Sequence, residues 1–148
     1  VGDIYGGEAG AELLVTRSLS GFANFSYEEI GQTFTGSAQR GAPRYKANGG
    51  LRGEWDNGIN GEVGLFHVGS ATYPISRLYS VFAPFGAVTP STTVDSYNLL
   101  NIRVAYKFWH EKAEVAVTAF NALDDRHKEN PVGDTIGSRV MGWLTVRY

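Results

Sequence analysis

Few residues of this 148-residue chain are spaced for bond-making chemistry. The histidines His67, His110 and His127 stand far apart and make no metal-ligand spacing. Ser138 lacks the glycine-flanked turn that presents a nucleophile, so a Ser/His/Asp set has no anchor. Carboxylates are frequent, but none falls in a recognisable acid–base pair. There is no cysteine, which removes disulfides and thiolate metal sites. No catalytic residue, metal ligand or cofactor is expected, and the chain is not read as an enzyme. What remains is binding chemistry. The proline-bearing segment from Ser70 to Asp95 holds Tyr73, Tyr79, Phe82 and Phe85, whose rings could grip a bulky ligand or pack on neighbouring loops. The run Asp124-Asp125-Arg126-His127-Lys128-Glu129 mixes signs and reads as a solvated loop, with local ion pairs worth about 0–1 kcal/mol each.

Composition bounds the class. Lysine and arginine number 13 against 15 acidic residues, a net charge of −2, so there is no general case for nucleic-acid binding. Glycine is abundant (19) and aromatics make up 13%, which favours β structure. No apolar run approaches the ~18 residues of a transmembrane helix, yet barrel strands carry a much weaker signal each. The length leaves room for one domain. The chain opens at Val1 without an initiator Met or signal peptide, as a mature chain or a piece of a longer one would.

The elements that must carry any binding residues are strands. In the final stretch, Val140, Gly142, Leu144, Val146 and Tyr148 alternate with Arg139, Met141, Trp143, Thr145 and Arg147. Period two with unlike faces is a strand between unlike surroundings. The same pattern predicts strands over Tyr5–Thr16, Leu19–Glu28, Arg44–Trp55, Ile59–Gly69, Tyr97–Phe108 and Ala113–Ala122. Asp56-Asn57-Gly58 is a tight-turn signal. Glu29–Pro43, Ser70–Asp95 and Leu123–Gly137 are long loops, and the prolines of the second argue against a regular strand there. Short links follow the first, third and fifth strands, and long links follow the second, fourth and sixth. An antiparallel up-and-down meander of about seven strands then has tight turns on one rim and long loops on the other, as outer-membrane barrels do.

One face of this sheet suits lipid. Tyr5, Tyr27 and Tyr45 fall beside the long-loop rim, and Trp55, Phe108 and Tyr148 at the opposite rim. Between them lie Ala, Gly, Val, Leu and Ile. Aromatic rings settle at headgroup level, so these six are expected at the membrane interfaces. Tyr45 to Trp55 is ten steps, which at roughly 3.3 Å each and a tilt near 45° spans about 23 Å, close to the ~25 Å apolar band of such barrels. The opposite face carries Glu8, Glu12, Arg52, Glu54, Glu62, Arg103, Lys107 and Glu114 among others. Unpaired charges cannot face a dry core, so this face is expected to line a wet lumen or meet a polar plug. Seven is an odd count and below the eight strands of the smallest such barrels, which predicts one wall of a larger barrel with the missing wall N-terminal.

In this order and spacing the chain resembles the C-terminal part of a TonB-dependent outer-membrane receptor. Tyr5-Gly6-Gly7-Glu8-Ala9-Gly10-Ala11-Glu12 resembles a strand entering a periplasmic turn, and Gly21-Phe22-Ala23-Asn24-Phe25-Ser26-Tyr27 the next outgoing strand. Ala42-Pro43-Arg44-Tyr45-Lys46 resembles the strand start after an outside loop. Val94 to Arg103 resembles the entry to the last three strands, and Phe120-Asn121-Ala122-Leu123-Asp124-Asp125-Arg126 the family's Asn-Leu-(Phe)-Asp segment, with Ala122 inserted before Leu123. Tyr148 is similar to the terminal aromatic read by the barrel-assembly machinery, although Trp143 stands where the common signal has glycine. The resemblance implies about the last third of a barrel of about 22 strands in the bacterial outer membrane. It also implies TonB-dependent uptake of a scarce nutrient such as an iron–siderophore complex, with TonB acting through a plug not in these residues. A complete small barrel with a structural or adhesive role is the alternative.

Overall fold

The computed structural model describes residues 2–32, 41–73 and 92–148. Their regular structure is β. The strands are β1 (Gly2–Thr16), β2 (Leu19–Gln32), β3 (Tyr45–Glu54), β4 (Ile59–Val68), β5 (Ala71–Thr72), β6 (Thr93–Val94), β7 (Tyr97–Phe108), β8 (Ala113–Phe120) and β9 (Arg139–Val146). Seven form one antiparallel sheet in the order β1-β2-β3-β4-β7-β8-β9, while β5 and β6 make a separate two-stranded ribbon. The meander expected from the alternation is therefore present. β1 and β9 each pair on one side only, so the sheet does not close on itself.

The register puts every apolar strand face on the same side. Phe25 opposes Ala47, Leu51 opposes Val63, Val63 opposes Ile102, Val104 opposes Val117, and Val115 opposes Leu144. A one-residue slip in any pair would throw these side chains onto the charged face. Among the described residues there is almost no conventional core. The buried apolar residues are Ala71, Val94, Tyr97, Ala105, Ala113 and Ala116, whereas Leu51, Leu65, Val104, Val117 and Leu144 are exposed. A contiguous exposed apolar face of this extent needs an apolar partner.

The tight links have individual solutions. β1 ends in a register shift between Leu14 and Thr16, and the Ser18 N–H donates to Thr16 Oγ1 (3.3 Å). In the β3–β4 turn Gly58 has φ +87°, which a side chain would strain, and its N–H donates to the Trp55 carbonyl (3.0 Å). The β7–β8 turn has no glycine: Trp109, His110 and Glu111 carry φ of 52°, 53° and 64°. Several strand ends shift by one to four residues from the sequence expectation, and two departures stand out. β2 continues past Glu28 to Gln32 against the start of β1, with Ile4 opposite Ile30 and Asp3 opposite Gly31. Here the apolar residues have changed faces, so the alternation that marks the strand elsewhere reverses and reads as loop. The segment Ser70–Asp95, read as irregular, contributes β5 and β6 at its two ends.

Candidate functional site

The outward face has an aromatic level at each rim. Tyr27 stands directly opposite Tyr45, and Tyr45 stacks on His67 with centroids 5.6 Å apart. Tyr5 lies two residues beyond Gly7, the partner of Tyr27, and opposite Glu29. The Tyr27 hydroxyl donates to Glu29 (2.9 Å), whose carboxylate also pairs with Arg44 (3.2 Å). At the tight-turn rim Phe108 stacks on Tyr106 at 6.2 Å, and Trp55 begins the β3–β4 turn. The expected aromatics Tyr5, Tyr27, Tyr45, Trp55, Phe108 and Tyr148 are all exposed.

The inward face is built from directional pairs. Glu12, Arg52, Glu62, Arg103 and Glu114 form a row across the sheet, alternating in sign. Arg52 pairs with Glu62 (2.9 Å) and reaches Glu12 (4.0 Å). Arg103 donates to Glu114 (2.6 Å) and to Asn60 Oδ1 (2.6 Å). Lys107 pairs with Glu54 at the tight-turn end of the row. Opposite signs on neighbouring strands cancel locally, so a polar wall forms without a large one-sign field. Aromatics interrupt it. Gly50 opposes Gly64, and a Cβ on Gly50 would fall 2.8 Å from the Phe22 ring, so the glycine pair makes room for that ring. Arg52 lies over Phe22 at 5.6 Å. Phe120 meets Trp143 edge-on at 6.4 Å, and Arg139 lies over the Phe120 ring at 5.3 Å. The signal for these inward rings was visible as Phe and Trp at charged-face positions, but only the register gathers them.

At the long-loop rim, Asn121 ties the β8–β9 connection to β7. It is buried with φ 50°, its N–H donates to Asn101 Oδ1 (3.0 Å), and its side chain exchanges two bonds with the backbone of Asp125 (3.0 and 3.1 Å). Asp125 in turn accepts the Asn98 N–H (2.8 Å). Asp124 accepts the Ser138 N–H (2.9 Å) at the entry to β9 and pairs with Arg126 (3.4 Å). These two partners, Ser138 first, hold the Asp124 carboxyl below the usual carboxylate range. His127 is buried and stacks on Tyr97 with centroids 3.9 Å apart. The charged run thus contains the expected local ion pair, but also a buried histidine that a solvated loop would not have.

Tyr73, one of the expected ligand-gripping residues, donates its hydroxyl to the Glu129 carbonyl (3.3 Å), so it braces this same connection. Tyr79, Phe82 and Phe85 lie outside the described residues. His67 lies on the outward face with its Nδ1 2.8 Å from Asn98 Oδ1, and His110 lies in a tight turn. Among the described residues no group of three or more His, Asp or Glu is placed to hold a metal ion.

No protein-family model matches the chain, and no curated protein sequence matches it. Solved structures do. The copper transporter OprC aligns with a TM-score of 0.72 at 17% identity over 98% of this chain. The ferric yersiniabactin uptake receptor FyuA from Yersinia pestis aligns at 0.65 and 16% identity over 97%. A variant of the ferric enterobactin receptor PfeA from Pseudomonas aeruginosa aligns at 0.66 and 12% identity over 97%. All three are described as receptors or transporters, and none as an enzyme. This chain spans 22% of the length of each. At these identities the likeness establishes fold alone, and the fold is that of a segment of each of these three receptors or transporters.

Proposed function

We propose that these residues form the C-terminal segment of the barrel wall of a bacterial outer-membrane receptor, which takes up a scarce nutrient by a TonB-dependent route. The observation that carries this reading is the two-sided sheet. Its outward face is an aliphatic band between two aromatic levels, and its inward face is a row of paired charges, in an open meander with unpaired edges. A bilayer outside and a wet, plugged lumen inside satisfy both faces at once. The aromatics Tyr5, Tyr27, Tyr45, Trp55, Phe108 and Tyr148 then sit at the headgroups. Tyr73 and its neighbours on the long-loop side contribute to the ligand mouth, and Tyr148 is the contact for the barrel-assembly machinery. TonB engages the plug carried by the rest of the receptor. The uptake of iron chelates or copper by the structural neighbours makes a metal chelate such as an iron–siderophore complex the cargo to test first.

Deleting the parent gene and measuring uptake of radiolabelled ferric chelates and copper tests this. Loss of one substrate's uptake, reproduced by collapsing the proton-motive force, is the expected result. Unchanged uptake across the panel, with the protein absent from the outer-membrane fraction of the parent strain, would contradict the proposal.

A further inference from the structure

The β8–β9 connection holds a histidine arranged as metal ligands are, and it lies apart from the paired charges of the lumen wall. A carbonyl oxygen can only accept, so the 2.7 Å contact between His127 Nδ1 and the Asp125 carbonyl requires the proton on Nδ1. In the neutral ring this leaves the lone pair on Nε2. That atom is buried and has no hydrogen-bond partner, and the His127 side chain is only 5% exposed. Burying a bare acceptor is unfavourable, so such an atom calls for a donor, a water or a metal ion. The group facing it is Glu129, whose Oε1 lies 3.8 Å from Nε2. This is too long for a hydrogen bond. Two ligand atoms on one tetrahedral zinc, at bond lengths of 2.0–2.2 Å, stand about 3.4 Å apart. The Glu129 side chain is 57% exposed, so a small rotation closes the difference.

The surroundings hold both ligands in place. Tyr97 stacks on the imidazole at 3.9 Å and fixes its plane. A donor bond from the second ring nitrogen to a carbonyl is the usual support of a metal-bound histidine. The Glu129 carbonyl is fixed by the Tyr73 hydroxyl (3.3 Å), and the His127 backbone pairs with Ile136. The open cavity beside His127 is lined by Asp95 and Asp125 and also by Arg126 and Lys128, so its carboxylates are balanced by two cations and the proposed site rests on His127 and Glu129 alone.

We infer that His127 Nε2 and the Glu129 carboxylate form a two-residue site for a divalent transition-metal ion at the long-loop rim, with water completing the coordination. One imidazole and carboxylate or water oxygens suit zinc or copper(II), and not calcium or magnesium.

The test is a zinc titration of the purified full-length parent protein in detergent, followed by calorimetry, and repeated with copper(II) followed by its electron paramagnetic resonance. His127→Gln and Glu129→Gln are each expected to remove one binding site or weaken it at least tenfold, whereas His110→Gln changes nothing. Glu129 is exposed, so its variant keeps the test valid if His127→Gln fails to fold. Calcium is expected not to compete. Equal zinc stoichiometry and affinity in wild type and Glu129→Gln would overturn the inference. So would an absence of zinc binding to the wild-type protein.

Discussion

The two faces of the sheet are held by different physics. The outward face has no internal directional bonds along its middle: Leu51, Val63, Ile102, Val104 and Val117 are matched only by being apolar. Its order is imposed by a surrounding solvent, and any aliphatic side chain of similar size would serve. On the inward face identity matters, because Arg103 meets both Glu114 and Asn60 and could not be exchanged for another polar residue without leaving a partner unpaired. The outward face is therefore tolerant within a class and intolerant across it, while at the inward ion pairs even a change within the polar class leaves a partner unpaired.

The largest expected effect comes from crossing the class on the outward face. Leu51→Arg, near the middle of β3, is expected to destabilise the full-length barrel by about 2–4 kcal/mol, read by denaturant unfolding in lipid vesicles. The control on the other face of the same strand is Asn48→Arg. It loses the 2.9 Å bond from Asn24 and is expected to cost only about 1 kcal/mol. Equal costs at the two positions would remove the distinction between the faces.

The inward face can be subdivided in the same way. Arg103 and Glu114 have side-chain exposures of 36% and 25%, against 56% and 37% for Arg52 and Glu62. A double-mutant cycle on Arg103 and Glu114 is expected to give a coupling of about 1.5–3 kcal/mol, the range for hydrogen bonds to charged groups. The cycle on Arg52 and Glu62 is expected to give about 0–1 kcal/mol and to vanish in high salt. A larger coupling for the second pair would show that the row acts as one network.

The smallest effect lies in the rim connection. The Asp124 carboxyl is held below the ordinary carboxylate value, so it adds stability that is complete above that value. This stability is lost as pH falls through the lower folded value. Hydrogen exchange at the Ser138 amide, which donates to Asp124, is expected to show protection that persists to below the usual carboxylate range and then fades. Asp124→Asn is expected to remove that acid-dependent step, and an unchanged step would contradict the assignment.

These contrasts explain what could be read in the sequence. The outward face and the strands that carry it were legible because a uniform solvent writes a period of two, and Tyr97–Phe108 was bounded as the structure has it. The β1–β2 end was not, since beyond the aromatic level Ile4 and Ile30 turn inward and the pattern reverses. Asn121 and His127 were hidden for a different reason. The partners of Asn121 include Asn101, twenty residues away, and only the β7–β8 register brings them together. His127 sits among five charged neighbours whose composition says loop, while its burial depends on the ring of Tyr97 from another strand.

The central claim is that odd positions of β3 face lipid and even positions face water. These residues contain no cysteine, so single cysteines can be introduced from Lys46 to Glu54 in the full-length protein and spin-labelled. Collision with oxygen, which concentrates in lipid, and with a water-soluble nickel chelate then reports each position's surroundings. The account predicts that oxygen accessibility peaks at 47, 49, 51 and 53 and nickel accessibility at 46, 48, 50, 52 and 54. Uniform accessibility, or peaks in the opposite phase, would contradict it.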